Sequence, residues 1–360
     1  MRTKRASRAL DPDAAAGQRL CKRFTRSFAP AGRLAPAWAL AIFVSAGALA
    51  CAQSNPPFVL EKTIPLPGVK GRIDHMAFDA ADSRLFVSAL GNNTVEVVDL
   101  ANGRVLKTIG GLDEPQGVLY DAKAGRLWVA NGGDGTVRIF NARTYLLLRS
   151  IALGRDADNV RLDPARDQVL VGYGSGGIAT FDAKGDRIAD VKLDVHPESF
   201  QLEANGPLMF VNLPNARRLD VIDRAKSKVV TSWRPDGARG NFPMALDERN
   251  ERLMIVCRVP AVLLVLDMHS GAVVAKLPSV ADADDVYYDP ARRRIYVSGG
   301  GGEVDVYRQI DRNRYRRIAQ VPTSAGARTS LFVPQVSDLF VAGRQVDGRP
   351  AEIRVFKISN

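Results

Sequence analysis

A unit of roughly forty residues recurs seven times along this 360-residue chain, and that period constrains the fold more than any other feature. A short stretch, in most cases ending in Asp, opens each unit: His75 to Asp79, Gly117 to Asp121, Asn159 to Asp163, Ser199 to Glu203, Pro243 to Asp247, Asp285 to Asp289 and Ser330 to Pro334. The intervals are 42, 42, 40, 44, 42 and 45 residues. Short β-type runs at this spacing, with no long helical pattern between them, predict an all-β, seven-bladed propeller in which each repeat is one blade.

Within the first unit, four runs have strand length and β-branched or aromatic enrichment: His75 to Phe78, Arg84 to Ser88, Thr94 to Asp99 and Arg104 to Ile109. Gly91-Asn92-Asn93 separates the second from the third, and Asn102-Gly103 separates the third from the fourth, where the dipeptide predicts a type I′ turn. The unit therefore reads as a four-stranded antiparallel meander. The second run recurs as Arg126 to Asn131, Leu208 to Asn212, Arg252 to Val256 and Arg294 to Ser298, apolar enough to be buried on both faces. The third run ends in Asp99, Asn141, Asp182, Asp223 or Asp267, side chains suited to closing the following turn on backbone N–H groups.

The last unit runs out of chain at Asn360 before a fourth strand can form. Far upstream, Phe58 to Ile64 reads like that missing strand and repeats the Lys-Thr-Ile of Lys107 to Ile109. Pairing it with the C-terminal sheet would close the ring and remove an exposed edge.

Residues 1–52 read as a segment apart from the domain at 53–360. They carry nine Lys and Arg against two Asp, an uncharged apolar run from Leu34 to Ala50, and then Ala50-Cys51-Ala52. That pattern predicts a secretory signal and a periplasmic or secreted protein. Cleavage after Ala52 would release a soluble chain, whereas Ala48-Leu49-Ala50-Cys51 is a degenerate lipoprotein box in which Cys51 would be acylated and tether the domain to a membrane. The leader holds seven of the eleven net positive charges, leaving +4 for the remaining 308 residues, which weakens any inference of a nucleic-acid partner from overall charge. Cys257 is the one cysteine in the propeller region, so no internal disulfide is expected and a monomer needs no such staple.

These residues resemble the YVTN-repeat, or YncE-like, family of bacterial secreted β-propellers. Arg84 to Ser88 followed by Asn92 to Asp99 carries the resemblance, with echoes at Arg126 to Asn131 and Gly135 to Asn141. The resemblance implies an exported seven-bladed ring without a set chemistry; one member is thought to bind single-stranded DNA. Blades three and four depart from the pattern at Gly174-Ser175-Gly176-Gly177 and Pro214-Asn215-Ala216-Arg217.

Propellers bind ligands at the mouth of the central channel, in loops leading to the innermost strands. Aligning the repeats places Asp74, Gln116, Asp158, Glu198, Phe242, Asp284 and Thr329 at one depth, with His75, Gly117, Asn159, Ser199, Pro243, Asp285 and Ser330 next. Just before them come Arg72, Glu114, Asp156, His196, Asn241, Asp282 and Arg328. The predicted ligand residues are Asp74, His75, Gln116, Asp158, Asn159, His196, Glu198, Asn241, Asp284, Asp285 and Arg328. Such a convergence of acids, imidazoles and amides suits a small molecule, a cation or a peptide, although the same residue types also serve loops as turn formers.

Two other readings stand beside this one. Asn159, Glu198 and Asp284 are oxygen donors suited to Ca²⁺, and a nearby histidine extends the choice to Zn²⁺ or Mn²⁺. With His75 or His196 moving a proton, they would make a lactone or ester hydrolase resembling the regucalcin-type propellers in architecture. Alternatively, Arg312, Arg314, Arg316 and Arg317 around Tyr315, with Arg292 to Arg294 nearby, offer cations and an aromatic ring to single-stranded DNA, or protect an edge strand. No serine-nucleophile, zinc-protease, phosphate-loop or Cys-x-x-Cys motif is present.

Overall fold

A computed structural model describes residues 56–174, 176–346 and 348–359. The proposed leader and Cys51 lie outside the described residues. Each repeat forms a four-stranded antiparallel sheet, and the seven sheets stand as blades around a common axis. Blade 1 runs outward through Met76–Asp79, Arg84–Ala89, Thr94–Asp99 and Arg104–Ile109. The innermost strands of blades 2 to 6 are Pro115–Asp121, Ala157–Asp163, Phe200–Leu202, Arg239–Asp247 and Ala283–Asp289.

Blade 7 takes three strands from the C-terminus, Ser330–Val333, Asp338–Gly343 and Glu352–Ile358, and its outermost strand from Phe58–Pro65. The pairing runs antiparallel from Phe58 opposite Ile358 to Pro65 opposite Glu352, so the predicted closure is present. Ile64 is buried in this sheet, where it joins Phe340, Ile353 and Val355 against Leu85, Val87 and Val98 of blade 1.

That apolar seam is one of seven, each joining two neighbouring blades. Between blades 1 and 2, for instance, Phe86, Val95 and Val97 meet Leu127, Val129 and Phe140. Burying each aliphatic or aromatic side chain of this kind contributes about 1.5–3 kcal/mol, so the ring is held by its seams rather than by its loops. The second strands lie deepest, as their continuous apolar character predicts; every residue of Arg84–Ala89 is buried. Cys257 sits within the seam between blades 4 and 5 as a free thiol, and burial pushes its pKa up to about 12, which keeps it unreactive.

The polar residues ending the third strands close turns as expected. Asp99 Oδ1 accepts the Asn102 amide at 3.0 Å, and Asn141 Oδ1 accepts the amides of Arg143 and Thr144 at 3.0 and 2.8 Å. The Asn102-Gly103 turn, however, is not type I′. Only Gly103 takes a positive φ, +64°, while Asn102 stays in the ordinary region and donates its side-chain amide to Asp99 at 2.6 Å. The carboxylate ending the third strand, rather than two left-handed residues, sets that connection.

The aspartates ending the innermost strands are equally structural. Asp79 accepts the Ala81 amide at 3.0 Å and pairs through Oδ2 with Arg84 Nε and an Arg84 terminal nitrogen at 3.1 and 2.6 Å. Arg84 reaches on to the Ala142 carbonyl and the Tyr145 hydroxyl of blade 2 at 3.2 and 2.7 Å, which links turn, blade and neighbour.

Candidate functional site

The innermost strands bring the loop residues of several blades to one end of the channel. Arg72, Asp74, His75, Asp158, Asn159, Glu198, Ser199, Phe242 and Asp284 surround a space of only about 20 Å³, room for about one water. Gly117 helps to draw this end together. A Cβ there would fall 2.1 Å from the Asp158 carbonyl oxygen, so only glycine lets the inner strand of blade 2 approach blade 3 this closely.

Most charges at the mouth are answered by other charges. Asp284 sits between two guanidinium groups, 2.6 Å from Arg258 and 3.1 Å from Arg328. Both arginines also stand 3.3 Å from Asp282, and Arg258 lies over the Phe242 ring at 3.6 Å. Across the opening, Asp158 lies between two imidazoles, 4.0 Å from His75 and 3.8 Å from His196. His75 is 3.8 Å from Asp74, whose Oδ2 is in turn 2.6 Å from Arg72 without hydrogen-bond alignment. The rim beyond is tied by Gln116, which donates to Asp156 at 2.9 Å, and by His196 Nδ1, 2.8 Å from the Gly174 carbonyl.

Proton affinities follow from this crowding. Burial works against a charged His196, but the nearby Asp158 and Asp156 carboxylates outweigh burial and raise it to about 9. Burial and the neighbouring Asp158 together push Glu198 up to about 7, against the pull of His196. Asp285 is pushed up to about 6, chiefly by burial, with His75 opposing. Asp158 moves the other way, because its histidines and Arg72 more than offset the burial that would raise it. His75 is raised despite burial, through Asp74, Asp285 and Asp158.

The structure thus gathers Asp74, His75, Asp158, Asn159, Glu198 and Asp284 around one point, with Gln116, His196 and Arg328 on its rim. Asn241 is placed elsewhere. It is fully buried between blades 4 and 5, where its amide donates to Asn212 at 2.8 Å and to the Arg218 carbonyl at 3.0 Å, so it braces two blades instead of facing a ligand. Of the three candidate cation ligands, Asp284 is engaged by its two arginines, and Asn159 keeps a buried Oδ1 without a partner. Among the described residues no three His, Cys, Asp or Glu side chains are arranged to hold a metal ion. In the connection before the outer strand of blade 6 and on that strand, Arg312, Arg314 and Arg317 pair with Glu251, Asp311 and Asp305, while the Tyr315 hydroxyl bonds Gln309 and the Arg312 carbonyl.

Beneath the mouth the channel widens into a chamber of about 340 Å³ walled by the innermost strands of all seven blades. It shares His75, Ser199 and Asp284 with the mouth and extends past Phe78, Tyr120, Leu162 and Leu331. Most of its polar groups are spent on neighbouring strands. Ser199 donates to the Phe242 carbonyl at 2.8 Å and Gln201 to the Met244 carbonyl at 3.2 Å. Asp285 accepts the Ser330 amide and Tyr287 donates to the Ser330 carbonyl, both at 2.7 Å.

Sequence reasoning missed two cations here. Arg258, which gathers Asp282 and Asp284, comes from a second strand, Arg252–Val259, and not from a mouth loop. Arg161 lies two residues past the aligned mouth position, where the other blades carry Ala77, Leu119, Gln201, Ala245, Tyr287 and Phe332. One charge in that uncharged column was the available signal.

No protein-family model matches this sequence, and no curated protein matches it either. Solved structures do share its architecture. A chain from a crystal structure of the mitotic checkpoint complex superposes with a TM-score of 0.72 at 13% identity, over 90% of this chain and 99% of its own. A chain of the Kuenenia stuttgartiensis hydrazine synthase does so with a TM-score of 0.67 at 16% identity, over 82% of this chain and 99% of its own. At such identities the likeness establishes the propeller fold alone.

Proposed function

We propose that this chain is an exported, non-catalytic binding propeller that holds a small molecule in its central channel. One observation carries the reading: the 340 Å³ chamber shares His75, Ser199 and Asp284 with the acid-rich mouth and is lined by residues from every blade. A volume at the lower end of the usual range for ligand pockets, with apolar walls and a few convergent polar groups, suits a compact organic ligand rather than a folded partner. The mouth residues Asp74, His75, Asp158, Glu198 and Asp284 then act as a charged roof over the ligand. Export, to the periplasm or beyond, is supported by the basic and apolar composition ahead of Gln53, and kinship with the YVTN-repeat propellers by the repeat residues themselves. Intact mass of the protein recovered from the periplasm separates cleavage after Ala52 from acylation at Cys51.

The channel reading is tested by filling the chamber. A broad panel of small metabolites is screened for thermal stabilisation of the unmodified protein, which a ligand specific for the native state must produce. Leu162→Trp and Leu331→Trp, both at the chamber wall, should abolish any stabilisation found while the far-ultraviolet spectrum stays that of a β protein. Full stabilisation of both filled variants would end the channel reading.

A further inference from the structure

Arg161 is set apart from the other cations of the channel. It lies on the innermost strand of blade 3 and faces the chamber. One of its terminal nitrogens donates to the neighbouring Val160 carbonyl at 2.9 Å, and its guanidinium sits 5.7 Å from the Phe200 ring centre. No carboxylate among the described residues comes within ion-pair distance of it. The three groups whose fields reach it are otherwise engaged: the Tyr287 hydroxyl donates to the Ser330 carbonyl, Asp285 accepts the Ser330 amide, and Asp158 lies between its histidines. A guanidinium has five N–H donors in a rigid fork, and among the described residues most of those on Arg161 have no protein acceptor. Leaving such a cation half-buried among Phe, Leu and Val side chains is costly unless something else answers it.

Resting on the reading of the channel as a ligand site, we infer that the ligand is a small amphipathic carboxylate, whose carboxylate group docks on Arg161 and whose apolar body lies against the chamber walls. The planar fork fits a carboxylate through two parallel hydrogen bonds. Phe78, Leu119, Leu162 and Leu331 offer an apolar surface for the remainder. The ion-paired mouth, with little free space, leaves the chamber as the place where such a molecule fits.

The test uses 3-phenylpropionate and octanoate as probes, each beside its primary amide, with calorimetric titration of the full chain and of Arg161→Gln, Arg161→Met and Leu162→Trp. At least one acid should bind the unmodified protein about ten- to a hundredfold more tightly than its amide, the range for one charge-assisted contact. Both Arg161 variants should lose that preference while still binding the amide, and Leu162→Trp should bind neither. Without ligand, Arg161→Met should unfold at the same temperature as the parent or higher, because it removes a largely desolvated cation with which no carboxylate among the described residues forms an ion pair. Equal affinity for acid and amide would overturn the carboxylate anchor while leaving the channel reading intact. The anchor is also overturned if no acid binds, or if Arg161→Met melts several degrees lower, which would make Arg161 a packing residue on Phe200. Binding of both probes by Leu162→Trp would count against the channel itself.

Discussion

The mouth and the chamber of one channel handle charge in opposite ways. At the mouth, Asp284 has two arginines, Asp158 two histidines and Asp74 both Arg72 and His75. In the chamber, Arg161 has one backbone carbonyl as hydrogen-bond acceptor and no carboxylate at ion-pair distance among the described residues, although the fields of Tyr287, Asp285 and Asp158 reach it. The richer region is therefore the more self-sufficient one. A dense cluster of charges in a sequence marks where the fold must balance itself, whereas a lone charge in an otherwise uncharged column marks where it has left something for a ligand to complete.

The bluntest way to break this contrast is to open the ring, since both regions draw on several blades. Deleting Phe58–Pro65 strips blade 7 of its outer strand and the seam to blade 1 of Ile64. The expected outcome is loss of the monomeric fold, read by size-exclusion chromatography and near-ultraviolet circular dichroism. An equally stable monomer would show that the Phe58–Pro65 strand is dispensable and that the channel does not depend on closure.

Next in size is Asp284→Ala, which strips Arg258 and Arg328 of their shared carboxylate while Asp282 stays 3.3 Å from each. Removing one partner of a largely buried ion pair costs on the order of 3 kcal/mol. Urea unfolding should show that loss, against no loss for Arg161→Met. Matching effects from the two substitutions would erase the distinction between mouth and chamber. Gly117→Ala should cost somewhat less, about 1–3 kcal/mol, by pushing a methyl group toward the Asp158 carbonyl and prising blades 2 and 3 apart. An unchanged urea midpoint would mean the strands yield there at no cost.

The fold was legible because its information is repeated. Seven copies of one meander make a single misread turn harmless, and Asn102-Gly103 is such a case: the sequence suggested two left-handed residues, and Asp99 supplied the turn instead. The missing fourth strand of the last repeat exposed the closure for the same reason. The site was legible only in outline. Aligning the repeats found the residues that converge at the mouth, because depth along an inner strand follows from register. Alignment cannot report partners. That Asp284 is held by an arginine from a second strand, that Asn241 turns between two blades, and that the mouth leaves room for about one water depend on side-chain packing between repeats far apart in the chain.

The mildest test concerns protons at the mouth. Glu198 takes up its proton at about 7 in the folded protein against an ordinary value of 4.5, because burial and Asp158 disfavour its charge. A raised value means that folding favours the protonated form, so this contribution is complete below about pH 4.5 and fades as the pH rises through 7. His196, raised from 6.5 to about 9, contributes with the same sign; its share is complete below 6.5 and is lost through 9. Stability should therefore decline from pH 5 to pH 9. Glu198→Gln, which cannot ionise, should flatten the part of that decline between pH 5 and 8 by on the order of 1 kcal/mol, allowing for solvent at a half-buried group. The His196 step near pH 9 should persist. Urea midpoints of the two proteins at pH 5, 7 and 9 decide the matter: parallel curves would mean that Glu198 is not held neutral by the mouth, and that the acids there are better solvated than their packing implies.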